Sequence, residues 1–292
     1  MLPRTHWQRR IACLDTDRDY EEIYRITVHH EFPWDMNQAL SLALFRTYAV
    51  PSIGGLLGRT GELVAHTQKR YDDTALLLEE PAVHGLHSER GRRAIRRINQ
   101  MHGAYDISRE DKRYVLATMV VTPRRWLDDY GWRPMSTAEV TASVRYYVEL
   151  GRLMGVPDLP ADYDALERLN DDYEREHFGN DPGARRVADA TLALMAETYA
   201  APLRRPVRAA TRALMDDPLL DAFGLPHPPT AVVALVRAAM RARGRVVAQL
   251  PARRTPMLVE NMARVRSYPD GFDVERMGTF PGRRVREPGR AG

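Results

Sequence analysis

The sequence predicts an all-α protein. Three observations carry that expectation. Apolar residues recur at steps of three and four along most of the chain, period-two alternation of β-branched residues is nearly missing, and hydroxyl–acid pairs that open helices alternate with Pro/Gly breaks.

The first expected helix covers about 17–31. The next, over about 36–57, is the most apolar: between Gln38 and Gly58 only Arg46 carries charge. Pro51 and the pair Gly54-Gly55 interrupt it, and a membrane-spanning helix needs about 20 continuous apolar residues. Two buried helical pieces are therefore expected and no spanning segment, with peripheral membrane contact the lesser reading. Further helices are expected over about 60–81, 88–105, 108–130 and 136–154, then 161–178, 183–200, 204–216 and 229–249. Ser88, Ser108 and Ser136 each precede an acid-rich opening turn, where a side-chain oxygen can satisfy free backbone amides. Gly131 with Pro134, Gly155 with Pro157, Pro182 and the Pro226–Pro229 cluster mark turns. The pattern gives one helical domain over 1–250. A Pro/Gly/Arg-rich C-terminal extension follows over 251–292, ending in a mobile tail from Gly282.

With 44% hydrophobic and 28% charged residues, the 292-residue chain can bury a large core. Its pI near 9.3 invites a nucleic-acid reading. Lys69 and Lys112 are the only lysines, however, and the arginines are interleaved with 39 carboxylates, so a solvated surface is the better expectation and nucleic-acid binding ranks last. Cys13 is the sole cysteine, which excludes an internal disulfide and a cysteine zinc site and suits a reducing compartment. After Arg9-Arg10 the apolar stretch is too short for a secretory leader, so a cytoplasmic location is expected. Nucleophile-elbow, P-loop and dinucleotide fingerprints are missing, which removes the usual support for hydrolase and nucleotide chemistry.

Ile95, Ile98, His102 and Tyr105 share one helix face, opposite Arg92, Arg93, Arg96 and Arg97, which can stay in water. A histidine in an apolar stripe is more often a hydrogen-bonded core residue than a ligand. Residues 114–122 are apolar almost all round, as plain core or as one wall of a pocket beside His102. Arg70, Asp73 and Thr74 precede an apolar run. On spacing alone they read as a helical turn with solvated charges; the functional alternative sets Thr74 over a ligand with Arg70 on a carboxylate. Glu174 and His177 have the Glu-x-x-His spacing of a di-iron ligand pair, but no second copy exists.

Lys69–Thr74, Arg97–Gly103, Tyr114-Val-Leu, Arg124-Arg-Trp126 and Tyr130–Pro134 together resemble the MpaB-type oxygenase family, which shares its catalytic domain with the latex-clearing rubber oxygenases. The similarity extends from about Asp35 to Phe223. The resemblance implies a globin-like helical core with additional helices and a b-type haem. His102 matches the proximal iron ligand. Arg70 and Thr74 match the distal Arg-x-x-Lys-Thr stretch, while Asp73 stands where the lysine would be. Asn99 and Asp106 replace the arginines that flank the proximal histidine in rubber oxygenases.

The implied function is haem-dependent oxygenation or cleavage of a C=C bond in a small lipophilic substrate, with dioxygen as co-substrate. The implied catalytic residues are Thr74 on the bound oxygen, Arg70 polarising the pocket and Asp73 relaying a proton. The implied cofactor contacts are His102 on iron, with Asn99 and Arg70 nearby. Segments 40–57 and 114–121 would shape the substrate pocket. The rival expectation is a haem or lipophilic-ligand carrier that turns nothing over.

Overall fold

The fold is taken from a computed structural model that describes residues 2–278; the tail expected from Gly282 lies outside the described residues. In chain order the helices are α1 (His6–Ile11), α2 (Tyr20–Ile26), α3 (Pro33–Thr47), α4 (Pro51–Thr60), α5 (Glu62–Ala65), α6 (Thr67–His84) and α7 (Glu89–His102). They continue with α8 (Arg109–Tyr130), α9 (Thr137–Leu153), α10 (Tyr163–His177), α11 (Pro182–Glu197), α12 (Arg204–Ala213), α13 (Asp217–Phe223) and α14 (Thr230–Gln249). A π-helical turn, Thr27–Glu31, joins α2 to α3. There is no strand among the described residues, so the protein is all-α, with one isolated bridge between Leu2 and Ala252.

The three expected serine caps form. Ser88 Oγ accepts the Gly91 amide at 3.0 Å, Ser108 Oγ accepts the Asp111 amide at 2.9 Å, and Ser136 and Glu139 cap each other reciprocally. Each such cap stabilises its helix by about 1 kcal/mol.

The apolar segment 114–122 lies in α8, at the centre of the bundle against α3, α9, α10 and α14. The consecutive residues Leu116, Ala117, Thr118, Met119, Val120 and Val121, which point to successive sides of this helix, are all buried, so hydrophobicity all round reports burial all round.

The long apolar region breaks at Tyr48–Val50, and α3 and α4 meet at 90°. No single helix among the described residues is long and apolar enough to cross a membrane. Gly54 and Gly55 do not interrupt the helix as their composition suggests. They lie buried inside α4, where it meets α11: a methyl group on Gly54 would come within 2.6 Å of Ala184 Cβ, and one on Gly58 within 2.5 Å of Gly183 Cα. The glycines permit the close crossing.

Three other expectations shift. Gly61, at φ 71°, splits off the short α5, so α6 begins at Thr67; it continues past Pro81 to His84. Helix α7 stops at His102, three residues early, leaving Tyr105 beyond its end. Arg97 is buried, unlike exposed Arg92, Arg93 and Arg96, and its Nε donates to the Met277 carbonyl at 2.7 Å.

The partner of Arg97 belongs to a C-terminal strap, residues 257–278, that runs back along α6. Its path is fixed by carboxylates. Glu79 accepts the Val259 amide at 2.7 Å, and Asp72 accepts the Arg266 and Ser267 amides and the Ser267 hydroxyl. Asp73 accepts the Tyr268 hydroxyl and the Gly278 amide.

Candidate functional site

Helix α6 has two buried faces. Thr67, Arg70, Tyr71, Thr74, Ala75 and Leu78, spaced three or four apart, line a cavity of about 110 Å³. Asp72, Asp73, Leu76 and Leu77 face α7 and the strap instead. Across the cavity stand Asn37, Leu40, Ser41 and Leu44 of α3 and Tyr146, Tyr147 and Leu150 of α9. Met257, Val259, Met262 and Arg264 of the strap complete the wall. The lining is mostly apolar with a few polar groups, the usual make-up of a small-molecule site.

The site residues expected from sequence separate into two groups. Arg70 and Thr74 do line the cavity. Thr74 Oγ1 donates its proton to the Arg70 carbonyl at 2.9 Å, so the hydroxyl turns lone pairs toward the cavity. Asp73 does not line it. Its carboxylate is 1% exposed and accepts from Lys69 Nζ at 2.7 Å, Arg70 Nη1 at 3.3 Å, the Tyr268 hydroxyl and the Gly278 amide. The charges of this turn are therefore enclosed, not solvated. Burial first, then the Asp73 carboxylate, pushes the Tyr268 phenol well above its ordinary range.

His102 ends α7 outside the lining of the cavity, close enough to Arg70 and Lys112 for both charges to act on it. Burial, then those cations, push its imidazole down to about 4. The ring makes no hydrogen bond among the described residues. Asn99, one turn earlier, is spent on packing: its Nδ2 donates to the Leu153 carbonyl at 2.9 Å and so caps α9.

Among the described residues no three His, Cys, Asp or Glu side chains converge into a metal-holding set. Glu174 does not act with His177; its carboxylate takes Arg46 and Tyr114. A metal group that brings most of its own donors would need only one nitrogen from the protein. The imidazole of His102, held toward its neutral form by burial and with no competing hydrogen bond among the described residues, has that chemistry.

Sequence reasoning missed several of the cavity's polar groups. His29 lies in the π-helical turn, a distortion frequent at functional sites. Its Nδ1 meets the Arg25 carbonyl at 3.1 Å and its Nε2 lies 3.5 Å from Glu79. Tyr71 could have been found, because it precedes Thr74 and Ala75 by one helical turn. Arg264 carried no local signal.

The sequence model of one family, described as "ER-bound oxygenase mpaB/B'/Rubber oxygenase, catalytic domain", matches residues 28–245. The chain is 32% identical over 206 residues to an ER-bound oxygenase mpaB of Penicillium brevicompactum, covering 64% of this chain and 53% of that protein. To the ER-bound oxygenase mpaB' of the same organism it is 29% identical over 267 residues, or 85% of this chain and 63% of that one. It is 29% identical to an mpaB of Penicillium roqueforti over 62% of this chain and 66% of that protein. The chain thus spans about half to two thirds of the length of the curated relatives it matches. The matched region includes α3, α6, α7 and α9 and ends before the strap.

Proposed function

The chain belongs to the family of the ER-bound oxygenases mpaB and mpaB' and the rubber oxygenases, and from that premise we propose that it is a haem b-dependent oxygenase acting on a C=C bond of a lipophilic substrate. One observation carries the reading: His102, half-buried at the end of α7 with no ring hydrogen bond among the described residues, lies close to Arg70, whose side chain lines an apolar cavity.

His102 would hold the group through one ring nitrogen. When bound, haem supplies the activation of dioxygen toward the carbon–carbon double bond. Arg70, already oriented by Asp73 at 3.3 Å, would meet a carboxylate at the edge of the group. Asp73 is then a positioning residue rather than a proton relay. Thr74 presents an acceptor to the cavity, and rotation of its hydroxyl away from the Arg70 carbonyl would let it donate to an oxygen there. Leu40, Leu44, Ala75 and Leu78 would hold the hydrocarbon part of the substrate and exclude water from it.

The relatives are named ER-bound. For this chain we propose a cytoplasmic location, which a single, exposed, unpaired cysteine, Cys13, supports.

Oxygen uptake by haem-loaded protein tests the function. Unsaturated isoprenoid or fatty chains should stimulate uptake and saturated chains of equal length should not. A carrier of the same fold would consume no oxygen above background with either.

A further inference from the structure

Arg264 stands at the junction of two cavities. It lines the chamber described above and a second one between α3, α11 and α12, and Ser41 and Tyr71 share both walls with it. The hydrogen bonds there run in one direction. Arg264 Nη1 donates to the Tyr71 hydroxyl at 3.2 Å, and Ser41 Oγ donates to the Asn37 carbonyl at 2.7 Å. With the only proton of Ser41 spent, the 2.7 Å contact between Ser41 and Tyr71 must be donated by Tyr71. Both hydroxyl protons are therefore committed, and the donors left at this junction are those of the guanidinium.

The guanidinium lacks what a charged group in such a place needs. No carboxylate pairs with Arg264 among the described residues, and its Nε–H is shut away from solvent without an acceptor. The other charges of the chamber are compensated: Arg70 by Asp73, and Glu79 by the Val259 and Glu260 amides and His29. One uncompensated cation beside an apolar chamber is the pattern of a site that completes its charge balance with its ligand.

We propose that Arg264 binds the carboxylate of a lipophilic acid whose hydrocarbon chain occupies the α3–α6–α9 chamber. A carboxylate fits better than a phosphate, because a single guanidinium balances one negative charge. The assignment deepens the oxygenase reading by naming the polar end of its substrate, and it rests on that reading only for the statement that this acid is oxidised. Arg264 lies outside the family-matched residues 28–245, so this recognition belongs to the strap of this chain.

Binding of dodecanoate, dodecyl phosphate, dodecanol and dodecyltrimethylammonium to the full-length protein, measured by titration calorimetry without haem, tests the proposal independently of turnover. Dodecanoate should bind one per chain and at least about tenfold tighter than the alcohol, the worth of one charge-assisted hydrogen bond. The phosphate should bind more weakly than dodecanoate, and the cation should not bind. Arg264→Gln should reduce dodecanoate affinity to the level of dodecanol while leaving dodecanol binding unchanged, and Arg264→Lys should restore part of the preference. Equal affinity for acid and alcohol, an acid preference that survives Arg264→Gln, or no binding of dodecanoate would each overturn it. Failure of oxygen uptake alongside this binding pattern would overturn the oxygenase reading and leave the acid site standing.

Discussion

Asp72 and Ser267 lie 195 residues apart in sequence and are joined twice: one carboxylate oxygen of Asp72 accepts the Ser267 amide at 3.0 Å and its hydroxyl at 2.6 Å. Because Asp72 is fully buried and also takes the Arg266 amide, this contact fastens the strap to α6 beside the cavity. Replacing Asp72 with Ala should cost about 2–4 kcal/mol, since it removes several bonds to a charged acceptor and leaves buried amides unpaired. The loss should be local. Limited trypsin digestion should cut at Arg266 and Arg276 much faster than in the parent protein while the helical circular dichroism stays intact. Unchanged digestion would show that the strap is held by something else.

The ion pair of Arg46 with Glu174 makes the opposite kind of prediction, a global one. Burial works against the Arg46 charge, yet hydrogen bonds and charge from Glu174, then Asp216, hold its pKa above the ordinary value. Glu174→Ala would strand this cation and free the Tyr114 hydroxyl in the core, at a cost of about 3–5 kcal/mol. Urea unfolding followed by far-ultraviolet circular dichroism measures it; a change under 1 kcal/mol would mean that Asp216 and water replace Glu174.

His102 gives a pH dependence of definite sign. Its folded-state pKa near 4 lies below the ordinary value of 6.5, so between those pH values the unfolded chain binds a proton that the folded protein refuses. Its contribution to stability is therefore fully present above pH 6.5 and is lost as the pH falls toward 4. His30, also pushed down to about 4, first by burial and then by neighbouring charges, acts in the same direction. Glu31, Asp35 and His227, with raised pKa values, act in the other, so the parent slope alone is not diagnostic. The comparison that isolates the effect is urea midpoints at pH 7, 5.5 and 4.5 for the parent and His102→Gln. The variant should lose less stability on acidification.

Ala75 lines the chamber opposite the apolar face of α3. Ala75→Phe should fill part of that space and weaken binding of a twelve-carbon chain by about tenfold or more, while haem loading and the unfolding midpoint change little. Equal weakening of haem loading would place the cofactor in this chamber itself.

Most of the fold was legible because its causes are local. Serine caps and three-to-four periodicity act within one helical turn, so the existence of α7, α8 and α9 could be read directly. The misread positions depend on distant neighbours. Gly54 looks like a breaker until α11 is brought against it, and Arg97 looks solvated until Met277 covers it. The site was legible to the same extent. The distance from Arg70 to Thr74 is one helical turn, which placed both on one face. Nothing near Asp73 announces that it ends up beneath Tyr268, and a Pro/Gly/Arg-rich stretch gave no sign that Arg264 would close the cavity.

Whether His102 holds a haem is decided by the absorption spectrum of the protein during titration with hemin, for the parent and His102→Ala. The Soret band should saturate at one haem per chain and shift when carbon monoxide is added to the reduced form, with both features lost or strongly weakened in the variant. An identical saturating band in parent and variant would contradict the ligand assignment. No saturating band in the parent would contradict the haem itself.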